Sequence, residues 1–295
     1  MRLQDFAIRS REEKSSLLFR EVQNQMQEWK LKAIDIREKV IDYAYEIGKC
    51  HVGGALSTID ILTALYYNIM EIYPKYPKNE YRDRFILSKG HGVLGLYVIL
   101  ADLGYYPMEC INTYKKIDSI LQGHPDSRKT PGIEMSAGSL GQGISYGLGK
   151  ALALKLKNIK SRVFVMVGDG ELQEGQNWEA VAGANHLKLD NLTIIVDHNK
   201  LQLDETLIDE LSFKNLEGKF ISFGWRVKTI DGHNMQEILS SLKEHNKGPT
   251  AIIANTIKGK GISFMENQIS WHCNEISDEQ YKIAKEDLRK LREVI

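Results

Sequence analysis

Cysteine is scarce here: Cys50, Cys110 and Cys273 stand far apart in a chain of 295 residues. An odd number at that spacing excludes a disulfide framework and fits no zinc site. Long apolar runs are missing as well. No stretch approaches the roughly 20 residues that span a bilayer. The opening MRLQDFAIRSREEK carries no apolar core of the signal-peptide kind. A net charge of one sign is also absent, since Lys+Arg and Asp+Glu number 39 each. A balanced chain is not built to track a nucleic-acid backbone or an anionic membrane. No nucleic-acid partner and no membrane partner is expected, and the expected location is the cytoplasm.

What remains is a globular composition, 42% hydrophobic and 26% charged, on a chain long enough to bury a sizeable core without staples. Near-continuous apolar runs occur at Arg84–Ser88, Arg162–Val167, Leu192–Asp197, Trp225–Ile230 and Thr250–Thr256. Strands buried on both faces read this way, because helices cover a parallel sheet from both sides. Helical stretches lie between them, including Gly143–Asn158 and Asn177–Leu187. The expected fold is therefore α/β: a doubly wound, mainly parallel sheet with helices on both faces. Three segments are expected: a helical extension over 1–30, a main domain over 31–277 and a closing helix over 278–295. The extension shows Leu18, Val22, Met26 and Trp29 at helical spacing, and the closing helix has Tyr281, Ala284, Leu288 and Leu291 on one stripe.

The most specific feature follows the run Arg162–Val167. It reads Gly168-Asp169-Gly170-Glu171-Leu172-Gln173-Glu174-Gly175 and leads into a helix. Ligands of open α/β sheets bind beyond the carboxyl ends of the strands. Glycines there let backbone N–H groups approach a phosphate, and a helix N-terminus favours anions. On its own, Gly-Asp-Gly is ordinarily an acidic tight turn. The next strand ends in Asp197-His198-Asn199, and one crossover should bring Asn199 to the same sheet edge as Asp169. A carboxylate and an amide oxygen there suit Mg2+ that also holds diphosphate oxygens. The backbone carbonyl of Leu201 could add a third protein ligand.

Gly-Asp-Gly followed about thirty residues later by Asn resembles the signature of thiamine diphosphate enzymes. The segments GDGELQEGQNWEA and KLDNLTIIVDHNKLQLD are similar to transketolases in particular. Four histidines fall in transketolase-like motifs: His51 in GKCHVGG, His91 in RDRFILSKGHG, His124 in GHP, and His272 after Trp271. Read singly, each would ordinarily be a surface or hydrogen-bond-satisfied histidine. The resemblance implies that His91 and His272 contact the diphosphate. It implies that His51, His124 and His272 face the donor sugar's hydroxyls and carbonyl as catalytic groups. A neutral imidazole can donate or accept a proton near neutral pH. Gly138-Ser139-Leu140-Gly141-Gln142-Gly143 matches a loop that holds the aminopyrimidine, with a backbone contact at Gly138 and Leu140 behind the ring. Glu174 and Glu179 match acidic residues at the family's dimer interface. Val52 and Ser139 stand where prolines are common in the family, which points to a divergent branch. His186, His198, His233 and His245 are read as structural, turn or surface residues.

The resemblance implies ketol transfer, in which a two-carbon unit passes from a ketose to an aldose with thiamine diphosphate as electron sink. It covers nearly the whole chain after residue 30. In the family, the glutamate that activates the aminopyrimidine lies in a further α/β domain. Only 23 residues follow His272, fewer than the roughly 30 of a βαβ unit. The expectation is a subunit that works with a separate C-terminal transketolase chain as a heterotetramer, acting on sugars or sugar phosphates. The alternatives are the alpha subunit of a 2-oxo acid dehydrogenase, a deoxyxylulose-type synthase and a non-catalytic subunit that kept the fold.

Overall fold

The computed structural model describes residues 3–201, 215–244 and 247–295, with side chains from residue 23 onward. Among the described residues five strands form one parallel sheet: β1 Arg84–Leu87, β2 Val163–Gly168, β3 Leu192–His198, β4 Arg226–Asp231 and β5 Thr250–Asn255. Their order across the sheet is β1-β2-β3-β5-β4. Each strand lies within two residues of its expected run. The helices are α1 Leu3–Ile47, α2 Val52–Leu56, α3 Ile59–Ala64, α4 Val93–Asp102, α5 Gly143–Leu156, α6 Gln176–His186, α7 Leu216–Ser222, α8 Met235–Lys243 and α9 Asp278–Glu293.

β2 shows why the strands read as unbroken apolar runs. Val163, Val165 and Val167 enter one core with α5, α6 and α7, while Phe164 and Met166 enter the other with α1–α4 and α8. Successive side chains leave a strand on opposite faces, so a sheet covered on both sides needs an apolar residue at every position. Gly147 lets α5 press against β2, because a Cβ there would collide with Val165 Cγ2.

No break falls at residue 30, where a segment boundary is expected. Helix α1 runs on to Ile47, and Ala33, Ile34, Val40 and Ile41 along it are fully buried. Trp29 already packs against the same core. The side chains of Leu18 and Val22 lie outside the described residues. Helix α9 starts at a capping box in which Ser277 and Gln280 bond each other's backbone. It lays Ala284 and Leu288 into the core that also holds Ile34 and Ile36. Among the described residues no helix is long and apolar enough to cross a membrane.

Candidate functional site

The register pairs Gly168 of β2 with Asp197 of β3. Asp169 and Asn199 therefore leave neighbouring strands at the same sheet edge, as the crossover argument requires. Asp169 is buried; one carboxylate oxygen accepts the Gly170 N–H at 2.8 Å and the other the Lys200 N–H at 2.6 Å. Asn199 Oδ1 accepts the Leu201 N–H, and its amide nitrogen donates to Asp197. Each of these oxygens keeps a free lone pair. Burial, with the nearby Asp197 charge, pushes the Asp169 carboxyl up to about 6 although two N–H donors oppose it. Asp169, Asn199 and Leu201 all line one cavity of about 350 Å³, together with Gly168 and Gly170. The donor set fits a hard cation that keeps most of its coordination for water and phosphate oxygens.

The other wall of that cavity carries His91 and His272, whose ring centroids lie 5.1 Å apart. His51 sits 5.2 Å from His272 and 5.6 Å from His91, and His124 continues the row 6.3 Å beyond His51. These histidines come from four distant segments. An antiparallel bridge between Cys50 and Asn274, with both hydrogen bonds at 3.2 Å, holds the segments of His51 and His272 together. Gly53 permits that approach, since a Cβ there would meet the Trp271 carbonyl oxygen at 2.5 Å. Burial is the main cause that lowers the His51 ring, sends His91 down to about 2 and His272 to about 4. Neighbouring ammonium groups add to each shift. All three rings are neutral at pH 7, and His51 Nδ1 is buried without a partner.

Leu140 lines the cavity, whereas Gly138 is exposed beside the His124 ring. Glu174 reaches the cavity from its exposed loop, and Glu179 sits on the exposed face of α6. His186 is the last residue of α6, and His198 Nδ1 pairs with Asn255 at 3.1 Å. His233 corrects its surface reading. It does lie in a turn, but its ring is only 12% exposed and bonds the buried Asp60 at 2.7 Å. His245 lies outside the described residues.

Four participants went unnoticed in the sequence. Lys89 donates to Asp197 and to the Gly54 carbonyl, and lines the cavity. Lys258, almost fully buried, points its Nζ at His272 Nδ1 across 3.0 Å. Burial, then the Lys89 charge, lowers its ammonium to about 8. Asp197 is raised by burial but brought below the ordinary range by Lys89. Glu171 accepts from Ser88, from the Gly141 N–H at 2.8 Å and from the Gly168 N–H at 3.1 Å, and so ties the Gly138–Gly143 loop to the strand ends. Lys258 follows β5 at the same carboxyl edge as Asp169, but its Ile257-Lys258-Gly259-Lys260-Gly261 setting reads as a surface turn. Two ammonium groups and two glycine-flanked strand ends facing one cavity suit a diphosphate.

The family model for the transketolase thiamine diphosphate binding domain matches residues 29–290. One chain of a 6-deoxy-6-sulfo-D-fructose transketolase from Clostridium sp., named as a subunit, is 41% identical over 258 residues, which is 86% of this chain and 94% of that one. One chain of an apulose-4-phosphate transketolase from Phocaeicola vulgatus, likewise named as a subunit, is 40% identical over 251 residues, covering 84% and 89%. The solved transketolase of Campylobacter jejuni superposes with a TM-score of 0.82 at 30% identity, over 90% of this chain but only 43% of that chain. With the parallel sheet and the edge cavity in the same frame, the chain belongs to the transketolase family and carries its thiamine diphosphate binding domain.

Proposed function

We infer that this chain is the cofactor-binding subunit of a two-chain transketolase that moves a two-carbon ketol unit from a ketose to an aldose. One observation carries the reading: Asp169, Asn199, Leu201, Lys89, Lys258, His91 and His272 converge on a single cavity from separate elements. Asp169, Asn199 and the Leu201 carbonyl would hold Mg2+. Gly168, Gly170, His91, His272 and the two lysines would hold the diphosphate, and Gly138 and Leu140 the aminopyrimidine. Bound thiamine diphosphate supplies the electron sink for carbon–carbon cleavage. His51, His124 and His272 would act as catalytic groups toward the sugar. The neutral His51 and His272 rings can accept a hydroxyl proton at one nitrogen and return it later, and the unpartnered His51 Nδ1 is one such acceptor.

The relatives matched over most of their length are named as subunits, which supports a partner chain. That chain would supply the activating glutamate, with Glu174 and Glu179 near the junction of a heterotetramer. The substrates named for those relatives carry a sulfo group or a phosphate, and we propose a sugar of that anionic class. Free cysteines at all three positions support a cytoplasmic location. The test is an assay of ketol transfer from a phosphorylated ketose to an aldose, with thiamine diphosphate and Mg2+. The chain alone should be inactive, and the co-expressed pair active. Full activity of the single chain would overturn the two-chain reading. Cofactor binding with no transfer by the pair would favour a non-catalytic role.

A further inference from the structure

A buried relay outside the cavity ends on the loop that carries Lys258. Arg37 of α1 grips Asp60 of α3 with both Nη atoms, at 3.0 and 2.5 Å. His233 Nδ1 lies 2.7 Å from the second oxygen of Asp60, and His233 Nε2 accepts the backbone N–H of Ile257 at 2.8 Å. Arg37 also donates from Nε to the Lys260 carbonyl at 3.2 Å. The residues on either side of Lys258 are thus held by one connected network, although none of Arg37, Asp60 or His233 lines the cavity. The Gly259 N–H, bonded to the Gly53 carbonyl at 3.0 Å, completes the clamp.

Only one form of the His233 ring satisfies both contacts. Nε2 can accept from Ile257 only if it carries no proton, so Nδ1 must carry it and donate to Asp60. Burial raises the Asp60 carboxyl, but the Arg37 charge and the His233 hydrogen bond more than offset it and keep it well below the ordinary range. Asp60 therefore remains an acceptor, and the tautomer is fixed from the far side of the ring. A carboxylate on one ring nitrogen commonly sets the orientation and tautomer that the other nitrogen presents to a ligand; here the other nitrogen instead sets a backbone.

We propose that His233 is a positioning residue for cofactor binding: locked by Asp60 and Arg37, it holds the Ile257 N–H and so aims Lys258 into the diphosphate cavity. This rests on the reading of that cavity as the cofactor site.

Two substitutions separate the two contacts of the ring. His233→Asn keeps a donor near Asp60 but removes the acceptor for Ile257. His233→Gln places an amide oxygen near the former Nε2. Thiamine diphosphate with Mg2+ is titrated calorimetrically into the full chain, together with any partner chain that co-purifies. The asparagine variant should bind about tenfold more weakly, the scale of one lost hydrogen bond, and the glutamine variant within about threefold of wild type. In a Lys258→Met background, His233→Asn should change affinity by less than about twofold, because its effect runs through Lys258. Equal losses in both backgrounds would mean general destabilisation and would overturn the proposal. Nitrogen-15 spectra of the unaltered protein give a check that needs no variant. A proton on Nδ1 of His233 is expected, and a proton on Nε2 would overturn the relay even if the variants fail to fold. No cofactor binding by the wild-type protein would sink the site reading itself, and the proposal with it.

Discussion

Lys258 Nζ and His272 Nδ1 lie 3.0 Å apart on the wall of one cavity, a buried ammonium beside a half-buried imidazole. Two potentially cationic groups cannot both be charged at that distance without cost. Burial comes first for both: with the Lys89 charge it lowers the lysine to about 8, and with the Lys258 charge it lowers the histidine to about 4. At neutral pH the pair therefore holds one positive charge, on Lys258, and a neutral ring that can accept from it. Both ends of this arrangement can be read out by titration.

The first readout is cofactor affinity. Lys258 is charged below about 8 and loses its proton above. Affinity for thiamine diphosphate should hold steady up to pH 8 and then fall by up to about tenfold per pH unit, as one linked proton requires. Calorimetric titrations at pH 7, 8 and 9 measure it. Lys258→Met should bind weakly and without that slope. A wild-type affinity that stays level from pH 7 to 9 would contradict the assignment.

Stability gives the second readout. An unfolded histidine takes up a proton near pH 6.5. In the fold, His91 resists until about 2 and His272 until about 4. The unfolded chain thus binds more protons across that window, so stability falls as pH drops from about 6.5 toward 4. The loss is up to about 1 kcal/mol per pH unit per ring, a few degrees in melting midpoint. Melting curves at pH 7, 6 and 5 should show His91→Asn with a shallower decline than wild type. An identical slope in both proteins would count against the buried, neutral ring.

These groups show where sequence was informative. The strands were legible because burial on both faces leaves no polar position, as in Val163–Val167. Asp169 and Asn199 were legible because a single crossover fixes which edge both occupy. Lys258 and His233 were not. Each sits among glycine and polar residues that read as a surface turn. The partners that bury His233 are remote in sequence: Asp60 stands 173 positions away. Periodicity reports which face of an element is covered, but not which polar side chain another segment will meet.

Removing the Asp169 carboxylate should abolish cofactor binding rather than slow turnover. Its oxygens stand beside Asn199 and Leu201 in the cavity wall, and the adjacent Asp197 carboxylate is already held by Lys89. Asp169→Ala should lower affinity for thiamine diphosphate with Mg2+ by at least about a hundredfold, as loss of a charged partner commonly costs several kcal/mol. Circular dichroism should remain native. Unchanged affinity would remove Asp169 from the site.

The two cysteines beside the histidine row should differ in reactivity. Cys50 is fully buried, and burial pushes its thiol up to about 11. Little thiolate forms there at pH 8, and the thiolate is the reacting species. Cys273 is only half-buried and adjoins His272. Iodoacetamide at pH 8 followed by peptide mass spectrometry should find Cys273 labelled and Cys50 spared, with bound cofactor slowing Cys273. Fast labelling of Cys50 in the native protein would show that its segment opens.

Glu171 offers the sharpest test of how the aminopyrimidine loop is held. One carboxylate oxygen serves Ser88 and the Gly141 N–H, while the other serves the Gly168 N–H. Ser88 in turn accepts the Gly143 N–H at 3.0 Å. Gly141 has φ +87° and Gly143 packs directly on Ser88, so neither position admits a side chain that could substitute for the carboxylate. Glu171→Gln preserves shape but turns one acceptor into a donor. Either orientation of the amide then faces a buried N–H with another N–H, leaving that donor unsatisfied at a cost of about 1–3 kcal/mol. The midpoint of thermal unfolding should fall by several degrees, and amide exchange should quicken at Gly141 or at Gly168 but not at β5. Faster exchange confined to the Gly141 side would mean that the amide nitrogen faces the loop, and cofactor affinity should then fall as well. If both glycines keep wild-type protection, the carboxylate is not what fixes the loop to the sheet edge.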